Sequence, residues 1–255
     1  MTEAPDLSIA DRLRFVLVRT SHPGNIGAAA RAIRTMGFER LSLVAPHRFP
    51  HADAVAMAAG ALELLDDTVI TPTLVDAVAD CTLVLGCTAR KRGVQLEELS
   101  PREAAARVLA ASAHGEVAIV FGNERTGLEN DELMSCHAAV HIPSVEDFPS
   151  LNLAQAVQLL AYELRVGMLE QIPAVAEEPR EALASVDELE HLFGHLEQML
   201  DDIDFHKGRS PVTIMKRLRR LFLRTGLEQR EVRILRGIFD DAQRMSRLAK
   251  KTREA

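Results

Sequence analysis

The chain of 255 residues has no tryptophan, one tyrosine and only 4% aromatic residues. That argues against a site built on stacked aromatic rings. It has three cysteines, Cys81, Cys87 and Cys136, with no CxxC pair and no Cys/His ligand spacing. So sparse and odd a set argues against a disulfide framework and against a zinc site, and fits free thiols in a reducing compartment. No uncharged apolar run is long enough to read as a membrane-spanning helix, and the first residues carry no apolar signal core. A cytoplasmic protein with no membrane association and no bound metal is the expectation. Basic residues are not in excess, since the net charge is −7. That excludes a chain that is cationic throughout, but a local basic patch is enough to bind nucleic acid. A G-x-G-x-x-G fingerprint is missing too, which disfavours a dinucleotide-dependent oxidoreductase.

What is present is ordinary globular material, 47% apolar and 26% charged. Short apolar runs at 14–18, 41–45, 68–71, 82–86, 117–121 and 138–142 read as strands. Between them, 26–36, 52–65, 74–79, 101–112, 129–136 and 151–169 read as helices. Nearly uniform apolar strands alternating with helices predict a parallel sheet covered on both faces.

The composition changes after residue 170. A segment with two prolines and several acidic residues reads as a linker over 171–186, dividing a domain at 1–170 from a helical extension at 187–255. Charge segregates sharply within this tail. Residues 171–206 carry a net −9 and residues 207–236 a net +8. Ser210 followed by Pro211 predicts a capped helix start, Ile214, Leu218, Leu221 and Phe222 its apolar stripe, and Thr225-Gly226 its end. Lys207, Arg209, Lys216, Arg217, Arg219, Arg220 and Arg224 are candidate contacts to RNA phosphates. The opposing reading is a solvated helix whose cations pair with the acidic segment before it.

Three loops that follow expected strands carry the candidate chemistry: GCTAR at 86–90, FGNERTGL at 121–128 and IPSVEDFPSLNLA at 142–154. In an open parallel sheet, ligands bind where the carboxyl ends of strands open into a crevice. A fourth loop, SHPGNIGAAAR at 21–31, turns sharply and enters a helix rich in small residues. Arg31 lies about one turn beyond Gly27. His22 reads as a turn residue, and Glu146 and Asp147 as solvent-facing.

Taken together, N-x-G-x-x-x-R at 25–31, FGNERTGL at 121–128 and IPS…SLNLAQAV at 142–157 resemble the three signature motifs of the SpoU branch of the SPOUT methyltransferases. The tail segments HLEQML, MKRLRRLF and EVRILRGIF are similar to the helical extension of a bacterial tRNA ribose methyltransferase of that branch. The resemblance implies an α/β parallel sheet with a deep trefoil knot, a small all-helical C-terminal extension, and a homodimer with its site near the subunit interface. It also implies S-adenosyl-L-methionine as methyl donor, held by Cys87, Thr88, Ala89, Gly122, Ile142, Pro149, Ser150 and Leu151. Asn25, Glu124 and Asn152 match polar positions of the motifs, and Arg31 matches the arginine regarded as essential. Cys87 stands where relatives tend to have a small hydroxyl residue.

The activity so implied is 2′-O-methylation of cytidine or uridine 32 in the tRNA anticodon loop. The alternatives are another tRNA position, ribosomal RNA, or an inactive RNA-binding relative. A guanidinium is a poor base, so Arg31 is expected to act as an electrostatic clamp on a phosphate or developing alkoxide. The phosphate, a water and Glu124 are all candidates to accept the hydroxyl proton.

Overall fold

A computed structural model describes residues 8–89, 96–145, 147, 149–170 and 182–254. Residues 171–181 of the linker expected over 171–186, part of the polar loop after the fourth strand (90–95), Glu146 and Phe148 lie outside the described residues, and the rest of that linker leads directly into a helix starting at Val186. The chain divides into two compact units, 1–178 and 179–255.

The first unit is a seven-stranded sheet, every pairing of which is parallel. Its strands are β1 (Leu13–Val18), β2 (Leu41–Val44), β3 (Val69–Thr71), β4 (Cys81–Cys87), β5 (Glu97–Leu99), β6 (Glu116–Phe121) and β7 (Ala138–Val140), in the order β3-β2-β1-β6-β4-β7-β5. Both faces of the central strands are covered, because successive residues of β1, β4 and β6 are buried regardless of parity. Its helices are α1 (Ser8–Asp11), α2 (Pro23–Thr35), α3 (Ala52–Ala58), α4 (Leu62–Asp66), α5 (Leu74–Val78), α6 (Pro101–Ser112), α7 (Asn130–Leu133) and α8 (Leu153–Glu170). Phe15, Phe38 and Phe121 pack together in the core, and α8 packs on both α2 and α6.

Two expectations are corrected. The helix read over 52–65 is two helices, because Ala59 takes a left-handed φ of 49° and Gly60 follows it. β5 escaped the reading because its Glu97-Glu98-Leu99 has no apolar run. It is an edge strand whose two glutamates are exposed, and edge strands tolerate charge.

The two ends of the sheet differ in kind. At the amino ends of the strands Arg14 is held between Asp80 (2.6 Å) and Glu116 (3.1 Å), so those charges are spent on one another. The carboxyl ends carry the loops with the motifs.

The second unit holds α9 (Val186–Asp202), α10 (Pro211–Thr225) and α11 (Gln229–Glu254). Ser185 and Glu188 form a reciprocal cap on α9. Ser210 and Pro211 open α10, and Gly226 ends it at φ 63°, a conformation that favours glycine. Leu192, Phe193, Leu196, Met215, Leu223, Val232 and Phe239 form a separate apolar core. Ala184 N–H donates to the Leu227 carbonyl at 2.8 Å and pins the incoming chain to the α10–α11 connection.

Candidate active site and nucleic-acid interface

The cleft at the carboxyl ends of β4 and β6 begins with one tight turn. Gly122 follows β6, and a Cβ there would lie 2.2 Å from the carbonyl carbon of Gly127 and from the Leu128 nitrogen. Only glycine permits that approach. Gly127 N–H donates to the Asn123 carbonyl at 2.7 Å and closes the turn. Asn123, 9% exposed, holds it from inside. Its Oδ1 accepts from Arg125 N–H (2.9 Å) and Thr126 N–H (3.2 Å), and its Nδ2 donates to the Arg19 carbonyl (2.6 Å) and Ser21 Oγ (2.7 Å).

The cleft walls bring together Cys87, Thr88, Ala89, Gly122, Ile142, Pro149, Ser150 and Leu151. These are all eight positions at which the resemblance puts donor contacts, drawn from three loops far apart in sequence. Phe121, Leu153 and Ala156 add apolar wall, and Thr126 a hydroxyl. Apolar sides with hydroxyls from Thr88, Thr126 and Ser150 among them suit an adenosyl group, which presents a flat apolar purine edged by hydrogen-bonding atoms. Burial pushes the Cys87 thiol up to about 12, so it is an uncharged wall residue rather than a nucleophile.

Three of the four candidate catalytic residues form a chain at the rim. Asn152 Nδ2 donates to Asn25 Oδ1 at 3.0 Å, and Asn25 Nδ2 donates to Glu124 Oε1 at 2.9 Å. Glu124 also accepts from Ser21 N–H (2.9 Å) and His22 N–H (3.1 Å). Partial burial pushes its carboxyl up, but the bonds from Asn25, Ser21 and His22 outweigh that and hold it below its ordinary value. Glu124 is thus a fixed anion that anchors the amino end of α2. His22 contributes its backbone here.

Arg31 is elsewhere. It is exposed on α2, outside the cleft walls. Its neighbours Ala28 and Ala32 line a shallow groove against Leu151, Ala154, Gln155, Gln158 and Leu159. Leu151 is shared by groove and cleft. Gly27, one turn before Arg31, sits where α2 touches α3, and a Cβ there would lie 2.0 Å from the Ala54 carbonyl oxygen. Asp147 is exposed.

In the helical unit, Lys216, Arg217, Arg220 and Arg224 are exposed on α10, and Lys207 in the turn before it. Their spacing of three and four puts the α10 residues on one face. Arg219 departs from expectation. Its guanidinium pairs with Glu190 of α9 and lies 4.4 Å from the centre of the Phe193 ring. The opposing reading, a cation paired with the acidic helix, holds at this position. Arg209 folds over the Phe205 ring at 4.8 Å and donates to the carbonyls of Phe205 and His206. Asn123 lines the cleft and is not among the residues the sequence singles out, and Arg19, whose carbonyl it holds, is not either. Asn123 lies inside FGNERTGL, where its place in a glycine-bounded turn is the local signal, whereas Arg19 carries none.

The family match over the sheet, its strand-end cleft and the motif loops places the chain among the SpoU methylases. The SpoU rRNA Methylase family matches residues 12–162, and a second family, described as tRNA methyltransferase TrmJ, C-terminal domain, matches residues 187–253. Across nearly its whole length the chain belongs to the TrmJ family of SpoU methylases. It is 47% identical over 246 residues to the tRNA (cytidine/uridine/adenosine-2′-O-)-methyltransferase TrmJ of Pseudomonas aeruginosa, covering 93% of this chain and 96% of that one. It is 44% identical to the tRNA (cytidine/uridine-2′-O-)-methyltransferase TrmJ of Yersinia enterocolitica, covering 92% and 93%. The crystal structure of TrmJ from Z. mobilis ZM4 superposes with a TM-score of 0.77 at 38% identity, over 89% of this chain and 97% of that one.

Proposed function

We propose that the protein transfers a methyl group from S-adenosyl-L-methionine to the ribose 2′-oxygen of cytidine or uridine 32 in the tRNA anticodon loop. The observation that carries this is the cleft into which three distant loops bring all eight expected donor contacts, rimmed by the Asn152–Asn25–Glu124 chain. When bound, the donor's sulfonium supplies a methyl group that needs no metal for activation.

The protein's own task is to hold the 2′-oxygen in line with the S–CH₃ bond, about 3 Å from its carbon, and to ease the proton off the hydroxyl. Arg31 serves the second need as a clamp on a phosphate or on the developing alkoxide, because its guanidinium stays charged. Glu124 is a positioning group on this reading. Its oxygens already accept three hydrogen bonds and its acidity is raised, so the proton passes to a phosphate or water.

Arg31 meets the chemistry through a second copy of the chain. The groove beside it adjoins the exposed Leu159 and Tyr162, 40% and 52% accessible, and shares Leu151 with the cleft. A homodimer through this face covers apolar surface and brings one protomer's Arg31 toward its partner's cleft. The trefoil knot belongs to the same reading. The basic face of α10 favours tRNA over a substrate met by the catalytic unit alone, and phosphate contacts from it position the RNA without reading sequence.

The test is incubation of tRNA with radiolabelled donor, followed by mapping of the modified ribose. Label at a single 2′-oxygen at position 32 supports the reading. Label on a base, on ribosomal RNA only, or nowhere overturns it. Because the Pseudomonas relative's name includes adenosine, tRNAs with A, C and U at the target belong in the same assay.

A further inference from the structure

We propose that Arg19 is a positioning residue that sets the shape of the methyl-donor cleft without touching it. The inference rests on the cleft being the donor site. Arg19 is the first residue after β1, and its φ of 51° is left-handed, a conformation a non-glycine residue keeps only where its surroundings enforce it. Its N–H donates to the Val44 carbonyl at 2.8 Å, and its own carbonyl accepts from Asn123. The backbone reversal sends the guanidinium toward the turn after β6.

There it meets three acceptor groups. Nε and Nη2 donate to the two oxygens of Glu132, each at 2.9 Å, Nη1 to Glu129, and Nη2 to the Gly127 carbonyl at 3.4 Å. Glu132 is mostly buried, with 16% of its side chain exposed, and it caps α7 through Glu129 N–H. One planar cation therefore fastens the end of β1, the start of α7 and the carbonyl of the cleft-lining residue Gly127.

The turn has no slack to absorb a change. Gly127 is pressed against Gly122, and both line the cleft. A displaced Gly127 carbonyl is passed directly to the Gly122 backbone. Neither Glu129 nor Glu132 is among the cleft walls, so the clamp acts only through position. Lysine keeps the charge but cannot bridge two carboxylates and a carbonyl in a fixed fork.

The test is calorimetric titration of S-adenosylhomocysteine into the full-length chain and its R19K, R19M, E132Q and R19M/E132Q variants. Thermal melts and the KM values for donor and tRNA are measured alongside. R19K should weaken S-adenosylhomocysteine by about tenfold and raise the donor KM, with the tRNA KM unchanged. R19M/E132Q should bind no more weakly than R19M, because both substitutions open the same clamp. A general loosening would raise both KM values together, and that result overturns the proposal. So does wild-type affinity in a folded R19K or R19M, or simple additivity in the double variant. R19K carries the test if R19M does not fold. Wild-type protein that binds S-adenosylhomocysteine but methylates no tRNA overturns the proposed function and leaves the clamp to be judged by the titration. Wild-type protein that binds none overturns both.

Discussion

Replacing Glu124 by glutamine separates a scaffold from a base. Oε1 accepts from His22 N–H and Asn25 Nδ2, and Oε2 accepts from Ser21 N–H. A glutamine has one carbonyl, so it keeps either the Ser21 bond or the other two, and its NH₂ then faces a donor. A hydrogen bond to a charged group is worth about 1.5–3 kcal/mol where it is buried. Glu124 is only half-buried and water replaces part of the loss, so the expected cost is about 1–2 kcal/mol. For a chain of this size that lowers the Tm by roughly 2–8 °C. Methyl transfer should fall by about tenfold, as Asn25 and Asn152 lose their anchor. The decisive measurement is the rate from pH 6 to 9. A carboxyl held below its ordinary value is ionised throughout that range, so Glu124→Gln should lower the curve without changing its shape. The stabilising effect of Glu124 has the matching sign. It is fully present above the unfolded carboxyl's pKa and is lost as pH falls through the lower folded value. Disappearance of an acidic limb in the variant, or a loss beyond a thousandfold with an unchanged Tm, would refute the scaffold assignment.

Gly27→Ala forces the α2–α3 contact apart by more than an ångström and should cost at least about 1–3 kcal/mol; a melt equal to wild type would show that the two helices do not meet so closely. Arg217→Ala with Arg220→Ala should weaken tRNA binding and flatten its dependence on log salt, whereas Arg219→Met should lower the Tm and leave the salt slope intact. An equal loss of slope in Arg219→Met would put that residue on the RNA face after all. His137 is buried, its Nδ1 accepts from Val84 N–H at 3.0 Å, and burial, with Arg107's charge in second place, pushes its pKa down to about 4. The unfolded histidine protonates below about 6.5, so stability should fall as pH drops from 6.5 toward 4, by at most about 1.4 kcal/mol per pH unit. Urea midpoints across that range should be flatter in His137→Asn, and an unchanged slope would remove His137 as its source.

The elements that were legible in the sequence are those in which several local signals agree. Ser210, Pro211 and Gly226 bracket α10 because cap and first-turn proline act on the residues next to them at its start, and a left-handed glycine does the same at its end. The apolar run 117–121 of β6 reads as a central strand, and all five of its residues are buried. The elements that were not legible depend on distant partners. β5 is a strand only because β7 offers it a parallel edge. The break at Ala59 is a backbone excursion in a run of helix-favouring alanines, where no local residue other than Gly60 opposes a continuous helix.

The candidate site divides on the same line. Glycine-bounded turns at the ends of apolar strands are local, so the loops around the cleft could be named before their meeting place was known. The fates of individual charges are non-local. Arg217, Arg219 and Arg220 are adjacent and chemically alike, yet the 100° step between helix neighbours turns Arg219 toward Glu190 and Phe193 and leaves the other two exposed. Arg19 and Arg31 are likewise interchangeable as letters. A left-handed backbone bends Arg19 back onto Glu132, where its charge is neutralised and its geometry is put to use. Arg31 projects from a regular helix beside an apolar groove, with its charge still available to an anion. The motif marks Arg31 and the fold gives Arg19 two carboxylates, so on the proposed reading the two arginines do not exchange roles. Arg19→Lys should therefore register in donor binding and Arg31→Lys in transfer with donor binding intact. A pair of variants with the same profile would mean that the two guanidiniums serve one site in one way.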